Sequence, residues 1–230
     1  MSFFTFNQYF LRAGHQPERL HHWLEKSMVP AVRKIHKGPI LVMDAQAAPH
    51  LPQVGLLMGF ASYAEWTQVH HAVFANNPGF VRSIQHWEAD DPPFESYSLT
   101  HLESTHYSPK MVSKTNPPEP RIFELRLYHC NSGRELKALH ERFAGPEIKV
   151  FKRCGIHPIL YANTTAGSLM PNLTWLTPYE SHAHREQAWN AFRNDPEWIE
   201  VKKRHQEEHG PVPGLIQISL WKAAGYSPIR

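Results

Sequence analysis

The stretch FRNDPEW (residues 192–198) has a counterpart earlier in the chain, FANNPGF (residues 74–80). In both, a phenylalanine is followed after two residues by Asn or Asp, then by Pro, one further residue and an aromatic residue. An Asn or Asp before proline ends a regular helix, and proline can occupy the first position of a new turn. We therefore predict that this phrase ends the second helix of a repeated unit and places Phe80 and Trp198 in the core.

An internal duplication explains why the phrase occurs twice. Pro78 and Pro196 are 118 residues apart, and sliding the chain against itself by 116 to 119 residues aligns further landmarks in the same order. The aligned pairs are NQYFLRAG (7–14) with RLYHCNSG (126–133), Pro30 with Pro146, Gly38 with Gly155, and YSP (107–109) with YSP (226–228). An ordered series of this kind indicates two copies of one structural unit.

The hydrophobic patterns predict the same order of elements in each half. The first half reads as strand FFTFNQYF, a helix through Leu20 and Ile35, strands PILVM and VGLLMGF, helix YAEWTQVHHAVF and strand SYSLTHL. The second half reads as strand RIFELRLYH, a helix over about 135–154, strands PILYA and NLTWLT, a helix over about 181–192 and strand LIQISLW. Gly38 is predicted to cap the first helix at its C-terminal end. A β-α-β-β-α-β order, present twice, favours an α+β fold with antiparallel four-stranded sheets and helices on one face of each.

The chain length and one Pro-rich stretch set the predicted domain boundaries. At 230 residues the chain is long enough for two units, because domains of about 100 residues are common. The stretch SPKMVSKTNPPEP is polar and rich in proline, as linkers are. We predict a first domain over residues 1–107, a linker over residues 108–120 and a second domain over residues 121–230.

A series of motifs in the second half points to a known family. They are FELRLY (123–128), a glycine-terminated helix, LTPYES (176–181), Arg185, DPEW (195–198) and a closing strand followed by YSP. In this order and spacing they resemble the NIPSNAP domain. The first half resembles that domain mainly through its likeness to the second half.

The resemblance implies a dimeric α/β barrel, in which two ferredoxin-like units pair their sheets into a barrel with the helices outside. In this chain the two tandem units would form a pseudo-dimer within one polypeptide, and a homodimer could form on top of it. The wider superfamily includes cofactor-free monooxygenases, lactone isomerases, haem-dependent enzymes and proteins with no assigned chemistry. The fold therefore does not determine the activity.

Candidate site residues lie on the first strand of the second half. Strand alternation puts Glu124, Arg126 and Tyr128 on one face and the intervening apolar residues on the other. In the barrel that the resemblance implies, the apolar set would meet the helices, so the polar set is predicted to point into the barrel. The alternative for the Glu–Arg pair is a satisfied structural network.

The second half is the predicted location of a ligand site, because the matching first-half residues, Thr5, Asn7 and Tyr9, lack the charged pair. The candidate catalytic residues are Tyr128, Arg126 and His129. The candidate ligand-binding residues are Glu124, His157, Tyr161, Trp175 and Trp189. For the aromatic residues among them, plain core packing is the alternative.

Histidine is unusually frequent, with 17 residues in 230, and it suits both proton transfer and metal ligation near neutral pH. The sequence HQEEH (205–209) fits the H-x-x-E-H pattern of inverted zincins. It is charged and is followed at once by Gly210 and Pro211, so we predict a solvated helix end and no metal site. We predict no cofactor, and a haem or metal protein is an alternative that rests only on the histidines and the superfamily.

The composition argues against several classes of protein. The net charge is +3 without a run of like charges, which disfavours a nucleic-acid partner. No apolar segment approaches the roughly 18 residues that a membrane helix needs, so no membrane insertion is predicted. Two cysteines and no signal-peptide pattern are typical of a cytoplasmic protein with reduced thiols.

Two functions stay open on the sequence. The first is a binding protein for a small apolar or aromatic molecule, or a cofactor-independent enzyme such as a monooxygenase or isomerase. Its site is predicted between sheet and helices of the second repeat, in a chain that forms a homodimer. The alternative is a non-catalytic interaction or scaffold protein, which should have a barrel interior filled by side chains and an apolar patch outside.

Overall fold

A computed structural model describes residues 1–89 and 91–230 of the chain, and within them the two halves have the same order of elements. The first-half strands are β1 (Phe3–Phe10), β2 (Ile40–Ala47), β3 (Gln53–Phe60) and β4 (Ser96–Ser104). The second-half strands are β5 (Ile122–His129), β6 (Leu160–Ala166), β7 (Asn172–Tyr179) and β8 (Leu215–Ala223). Every predicted strand is confirmed.

The helices also repeat from one half to the other. They are α1 (Gln16–Trp23), α2 (Val29–Ile35), α3 (Tyr63–His70) and α4 (Pro78–Glu88), followed by α5 (Gly133–Arg142), α6 (Ile148–Arg153), α7 (His182–Arg193) and α8 (Pro196–His209). Short π-helical turns, Leu24–Met28 and Phe143–Glu147, join α1 to α2 and α5 to α6, and a third, His71–Ala75, follows α3. None of the described helices combines the length and apolar character that a membrane span requires.

The eight strands close into one antiparallel barrel in the order β1-β3-β2-β8-β5-β7-β6-β4. Within this ring the first half contributes β4-β1-β3-β2 and the second half contributes β8-β5-β7-β6. The halves meet where β2 pairs with β8 and where β4 pairs with β6, and each joint contains a shift in register. Each strand therefore has two partners, and no sheet edge is left open along the ring. The predicted α+β barrel is confirmed at this level.

The repeated proline phrase begins a helix in each half. The side chain of Asn77 accepts a hydrogen bond from the backbone N–H of Phe80 at 3.0 Å, and Asp195 accepts one from Trp198 at 3.0 Å. Both acceptors are N-caps, and the following proline holds the first helical position. The helices α4 and α8 continue well beyond the single turn that the sequence predicts.

The centre of the barrel interior is filled by apolar side chains that come from all eight strands. The cluster includes Phe4, Phe6, Leu41, Met43, Leu57, Leu102, Phe123, Leu160, Leu176 and Trp221. Two further clusters lie outside the barrel, one between each half of the sheet and its own helices. One end of the barrel keeps a space of about 130 Å³ beside Gln8, Thr174 and Gln217, and larger spaces lie between the sheet and the helices.

The predicted orientation of β5 is wrong. Phe123 belongs to the cluster inside the barrel, whereas Glu124 bonds to Arg185 and Trp189 of α7, outside it. Alternate residues of a strand face opposite sides, so the polar set of β5 faces the helices. The physical reason is that α7 supplies partners for the carboxylate, while the apolar interior supplies none.

Gly38 does not cap α2, which ends at Ile35 with His36 in an extended conformation. A Cβ added to Gly38 would lie 2.3 Å from the carbonyl oxygen of Gly59. The same oxygen is 2.9 Å from the Nε2 atom of His36. The glycine is therefore required by the close approach of this segment to β3.

Replacing Gly38 by alanine should destabilise the protein by more than about 1 kcal/mol, because backbone atoms must move to make room for the methyl group. The matched control is Gly133→Ala at the start of α5, where an added Cβ meets no atom within 4 Å. We expect the control to be neutral or to stabilise by up to about 1 kcal/mol. Urea denaturation of both variants measures the difference, and equal stabilities would contradict the close approach.

Candidate functional site

The carboxylate of Glu124 is the centre of a buried network behind β5. It accepts hydrogen bonds from Arg126 Nε at 2.5 Å, from Arg185 Nε at 2.9 Å and Nη2 at 3.0 Å, and from Trp189 Nε1 at 2.7 Å. Arg185 and Trp189 are four residues apart on α7, so both face the strand. Glu124 is completely buried. With both of its oxygens bonded, this carboxylate holds α7 against β5.

The aromatic candidates of the second half pack around this network. The guanidinium carbon of Arg126 lies 3.8 Å from the centre of the Trp189 ring, and its Nη1 donates to the hydroxyl of Tyr128 at 3.2 Å. The rings of Tyr128 and Tyr161 lie 5.7 and 6.1 Å from Trp175, respectively. Burial raises the pKa of Tyr128, which therefore stays protonated at neutral pH. The structure thus brings six of the eight predicted site residues together.

The two histidines among the candidates lie elsewhere. His129 is the last residue of β5, and its Nδ1 atom is 3.1 Å from the carbonyl oxygen of Leu169. His157 is exposed in the segment between α6 and β6. Neither side chain is part of the network around Glu124.

A cavity of about 230 Å³ lies in the first half, between the sheet and the helices. Its floor includes Thr5, Asn7 and Tyr9 of β1, which are equivalent to Glu124, Arg126 and Tyr128 of β5. Its walls include Trp23, Trp66, Phe74, Ile84, Trp87 and Phe94. In the second half the long side chain of Arg126 extends over Trp189, whereas asparagine at the equivalent position is short. The space at Glu124 and Arg126 is therefore filled by side chains, and the space at the equivalent first-half positions is open.

Three polar atoms around this first-half cavity have no partner. Thr5 Oγ1, Asn7 Oδ1 and Trp23 Nε1 are buried and make no hydrogen bond among the described residues. A buried polar group without a partner costs about 1–3 kcal/mol, and a bound molecule could supply partners for these three. Atoms of the same kind occur in the packed second half, on Tyr161, Trp175, Thr177 and Tyr179, but the first-half set lines an open space. The sequence contains no signal for them, because each is an ordinary residue of a strand or a helix.

The mouth of the cavity carries titratable groups. His70 is exposed there, and desolvation of part of its ring, together with the neighbouring His71, lowers its pKa. Its imidazole is therefore neutral at physiological pH and can accept a proton. Tyr9, at the floor, has its pKa raised by burial and keeps its proton. Glu88 is exposed at the rim.

The prediction that the segment HQEEH is a solvated helix end is wrong at one position. Gln206, Glu207 and Glu208 are exposed, but His205 is buried, with 8% of its surface accessible. His205 lies on the inner face of α8, where it lines a second space beside Tyr128. Charged neighbours in the sequence hide the fact that one position of this segment faces inwards.

Comparison with known protein families shows which type of domain the second half contains. The NIPSNAP family model matches residues 123–212, which include the network around Glu124. This half of the chain is a NIPSNAP domain. No curated protein matches the chain in sequence.

The NIPSNAP domain and the half that precedes it together share their fold with solved structures. An anthrone oxidase-like protein is 11% identical, with a TM-score of 0.58 over 97% of this chain and 91% of that chain. A candidate monooxygenase from Fusobacterium nucleatum is 6% identical, with a TM-score of 0.61 over 96% of this chain and 92% of that chain. Another from Lactobacillus acidophilus is 10% identical, with a TM-score of 0.57 over 96% and 93%. At such identities the likeness shows the fold alone.

Replacing Glu124 by glutamine should destabilise the NIPSNAP domain by about 3 kcal/mol or more. The change leaves the charge of Arg126 buried without a counter-charge, which is the costly way to break a buried ion pair, and it leaves Arg185 paired only with Glu186. The control is Glu186→Gln, because Glu186 also pairs with Arg185 but its side chain is 62% exposed. We expect the control to change stability by less than about 0.5 kcal/mol. Chemical denaturation measures both, and a Glu124→Gln protein as stable as the control would contradict the structural role.

Proposed function

We propose that this protein binds a small, flat and mostly apolar molecule in the cavity of its first half. The observation that carries the proposal is the set of three unpartnered polar atoms in an otherwise aromatic space. An engineered cavity of about 150 Å³ in another protein binds benzene. At about 230 Å³, this cavity has room for a larger, bicyclic aromatic molecule.

The polar atoms indicate which groups the ligand carries. Trp23 Nε1 is a donor only, Asn7 Oδ1 is an acceptor, and the Thr5 hydroxyl can serve as either. A hydroxyl or carbonyl group on an aromatic ring would satisfy them, and the surrounding tryptophan rings would cover its faces. We therefore propose phenols and quinones as the ligand class.

We further propose that the bound molecule reacts without a cofactor. His70 at the mouth is neutral and can take the proton of a second ring hydroxyl that faces the mouth, which gives an imidazolium and a phenolate. An electron-rich phenolate is the form that reacts in oxygenation by O₂ or in isomerisation. The shared fold with an anthrone oxidase-like protein and with two candidate monooxygenases supports this reaction class.

For the architecture we propose two ferredoxin-like units, residues 1–107 and 121–230, joined by the linker 108–120 into a pseudo-dimer of the dimeric α/β-barrel type. The repeated strand order β4-β1-β3-β2 and β8-β5-β7-β6 supports this assignment. A homodimer of whole chains would then use outer surfaces, since the barrel is already closed. Native mass spectrometry of the purified protein would give both the number of chains and the mass of any retained ligand.

An interaction protein is the second candidate function. The filled barrel interior and the exposed apolar side chains of Tyr97, Leu99, Ile216 and Ile218 favour it. It differs from the first proposal in one measurable respect, because a pure scaffold needs no ligand in the first-half cavity. Measuring the binding of 2-naphthol to the first-half cavity separates the two functions.

Thr5→Val should have opposite effects on stability and on ligand binding. Valine has nearly the same shape and removes an unpartnered buried hydroxyl, so stability should be unchanged or higher. The affinity for 2-naphthol should fall about tenfold, which corresponds to one lost hydrogen bond of about 1.4 kcal/mol. Isothermal titration calorimetry measures the affinity and urea denaturation the stability.

The matched control is Thr177→Val in the second half. Thr177 also has a buried hydroxyl without a partner among the described residues, but it lies outside the cavity. This variant should bind 2-naphthol like the unmodified protein. Naphthalene, which lacks the hydroxyl, should bind equally well to the unmodified protein and to Thr5→Val. If 2-naphthol does not bind, or if both valine variants bind it alike, the first-half site is wrong and the scaffold function is favoured.

A further inference from the structure

A second cavity, of about 300 Å³, lies between the sheet and the helices of the second half. Its lining includes Tyr128, Arg142, Glu147 and His205, and it opens to solvent beside Lys202. We call it the charged cavity. It is separate from the network around Glu124, although the two meet at Tyr128, whose hydroxyl accepts a hydrogen bond from Arg126.

The charged cavity occupies the position that the aromatic cavity has in the first half. Arg142 is the last residue of α5, as Trp23 is the last residue of α1. Glu147 ends the π-helical turn after α5, as Met28 ends the turn after α1. His205 is the tenth residue of α8, and the tenth residue of α4 is Trp87. Three apolar side chains of the first half are thus matched by three polar ones in the second.

The charges of this cavity are buried deeply. Arg142 and Glu147 are 9% and 2% exposed, and Arg142 Nε donates to Glu147 Oε2 at 2.7 Å. Arg142 Nη1 donates to the carbonyl oxygen of Val212 at 3.1 Å. Its guanidinium carbon lies 5.5 Å from the centre of the Trp198 ring. Among the described residues Nη2 has no hydrogen-bond acceptor, so its two N–H groups are left for a ligand.

His205 is the second unsatisfied group. It is 8% exposed, and its Nε2 atom has no hydrogen-bond partner among the residues that the structure describes. Burial, and then the positive charge of Arg142, lower the pKa of His205 to about 4. Its imidazole is neutral at pH 7, and an N–H on Nε2 can donate without bringing a further charge into the cavity.

The fold does not need these charges. Burying an ion pair costs desolvation free energy that the mutual attraction only partly repays, and the first half has the same elements with Trp23, Met28 and Trp87 in these places. The surplus charge of the cavity is positive, because Glu147 is already paired with Arg142 and Lys202 lies at the opening. Apolar walls formed by Phe192, Trp198 and Ile216 surround the polar groups.

We infer that the charged cavity is a binding site for a small organic acid with an apolar body and one carboxylate. The carboxylate would accept hydrogen bonds from Arg142 Nη2, His205 Nε2 and Lys202 Nζ, and the body would lie against Trp198 and Phe192. Charge-assisted hydrogen bonds from arginine to a carboxylate are among the strongest in proteins. This inference does not depend on the first-half site, since the two cavities share no residue.

Benzoate and its neutral analogue benzamide test the inference by isothermal titration calorimetry at pH 7. Benzoate should bind the unmodified protein at least tenfold more tightly than benzamide, because only benzoate carries the charge. The double variant Arg142→Trp, Glu147→Met installs the residues of the first half and removes both charges together, so no unpaired charge is buried. It should lose benzoate binding by at least tenfold and keep the circular dichroism spectrum of the unmodified protein. Absence of benzoate binding to the unmodified protein, or equal binding of benzoate and benzamide, overturns the inference.

A milder pair of variants keeps the test decisive if the double variant fails to fold. Lys202→Gln removes the charge at the opening and should weaken benzoate binding by about threefold, an effect that added salt should reduce. Lys203→Gln makes the same change at the next exposed residue, which does not line the charged cavity. It should bind benzoate like the unmodified protein. Equal affinities in the two lysine variants would overturn the placement of the carboxylate.

Discussion

The architecture depends on the backbone pairing of the two halves at β2–β8 and β4–β6. Each half alone would expose the unpaired N–H and C=O groups of two edge strands, which is an aggregation hazard. Pairing these edges removes them and encloses the centre of the barrel. The enclosed side chains must then be apolar, since buried polar groups without partners are costly. This explains why Phe6, Phe123 and Trp221 lie inside the barrel, and why the buried charges of Glu124 and Arg142 lie between the sheet and the helices.

The two halves use that outer layer in different ways. On β5 the carboxylate of Glu124 gathers Arg126, Arg185 and Trp189, and the space is filled by bonded side chains. On β1 the equivalent positions are short and neutral, and an aromatic cavity lined by Trp23 is left. The halves therefore differ beside the first strand of each sheet, where bonded side chains fill the space at Glu124 and Arg126 and an open space remains at Thr5 and Asn7.

Local patterns in the sequence predict the strands, the helices and their order, because burial of one face gives the apolar residues of each element a regular spacing. The caps at Asn77 and Asp195 follow from the proline phrase in the same way. The orientation of β5 does not follow, since both faces of a barrel strand are buried and only the position of Arg185 on a distant helix decides which face is polar. A cavity is harder still to predict from the sequence, because it forms where side chains are too short to fill the space between the sheet and the helices. The inward position of His205 is likewise hidden by the exposed residues on either side of it.

The covalent link between the halves fixes the stoichiometry of their cavities. A barrel made of two identical subunits repeats every substitution, so it would contain two aromatic cavities or two charged ones. In a single chain each barrel has one aromatic cavity and one charged cavity. This one-to-one ratio does not require two different subunits to find each other. The free-energy cost of burying Arg142, Glu147 and His205 is also incurred once per barrel instead of twice. Tandem fusion therefore allows one half to depart from symmetry at half the cost in stability.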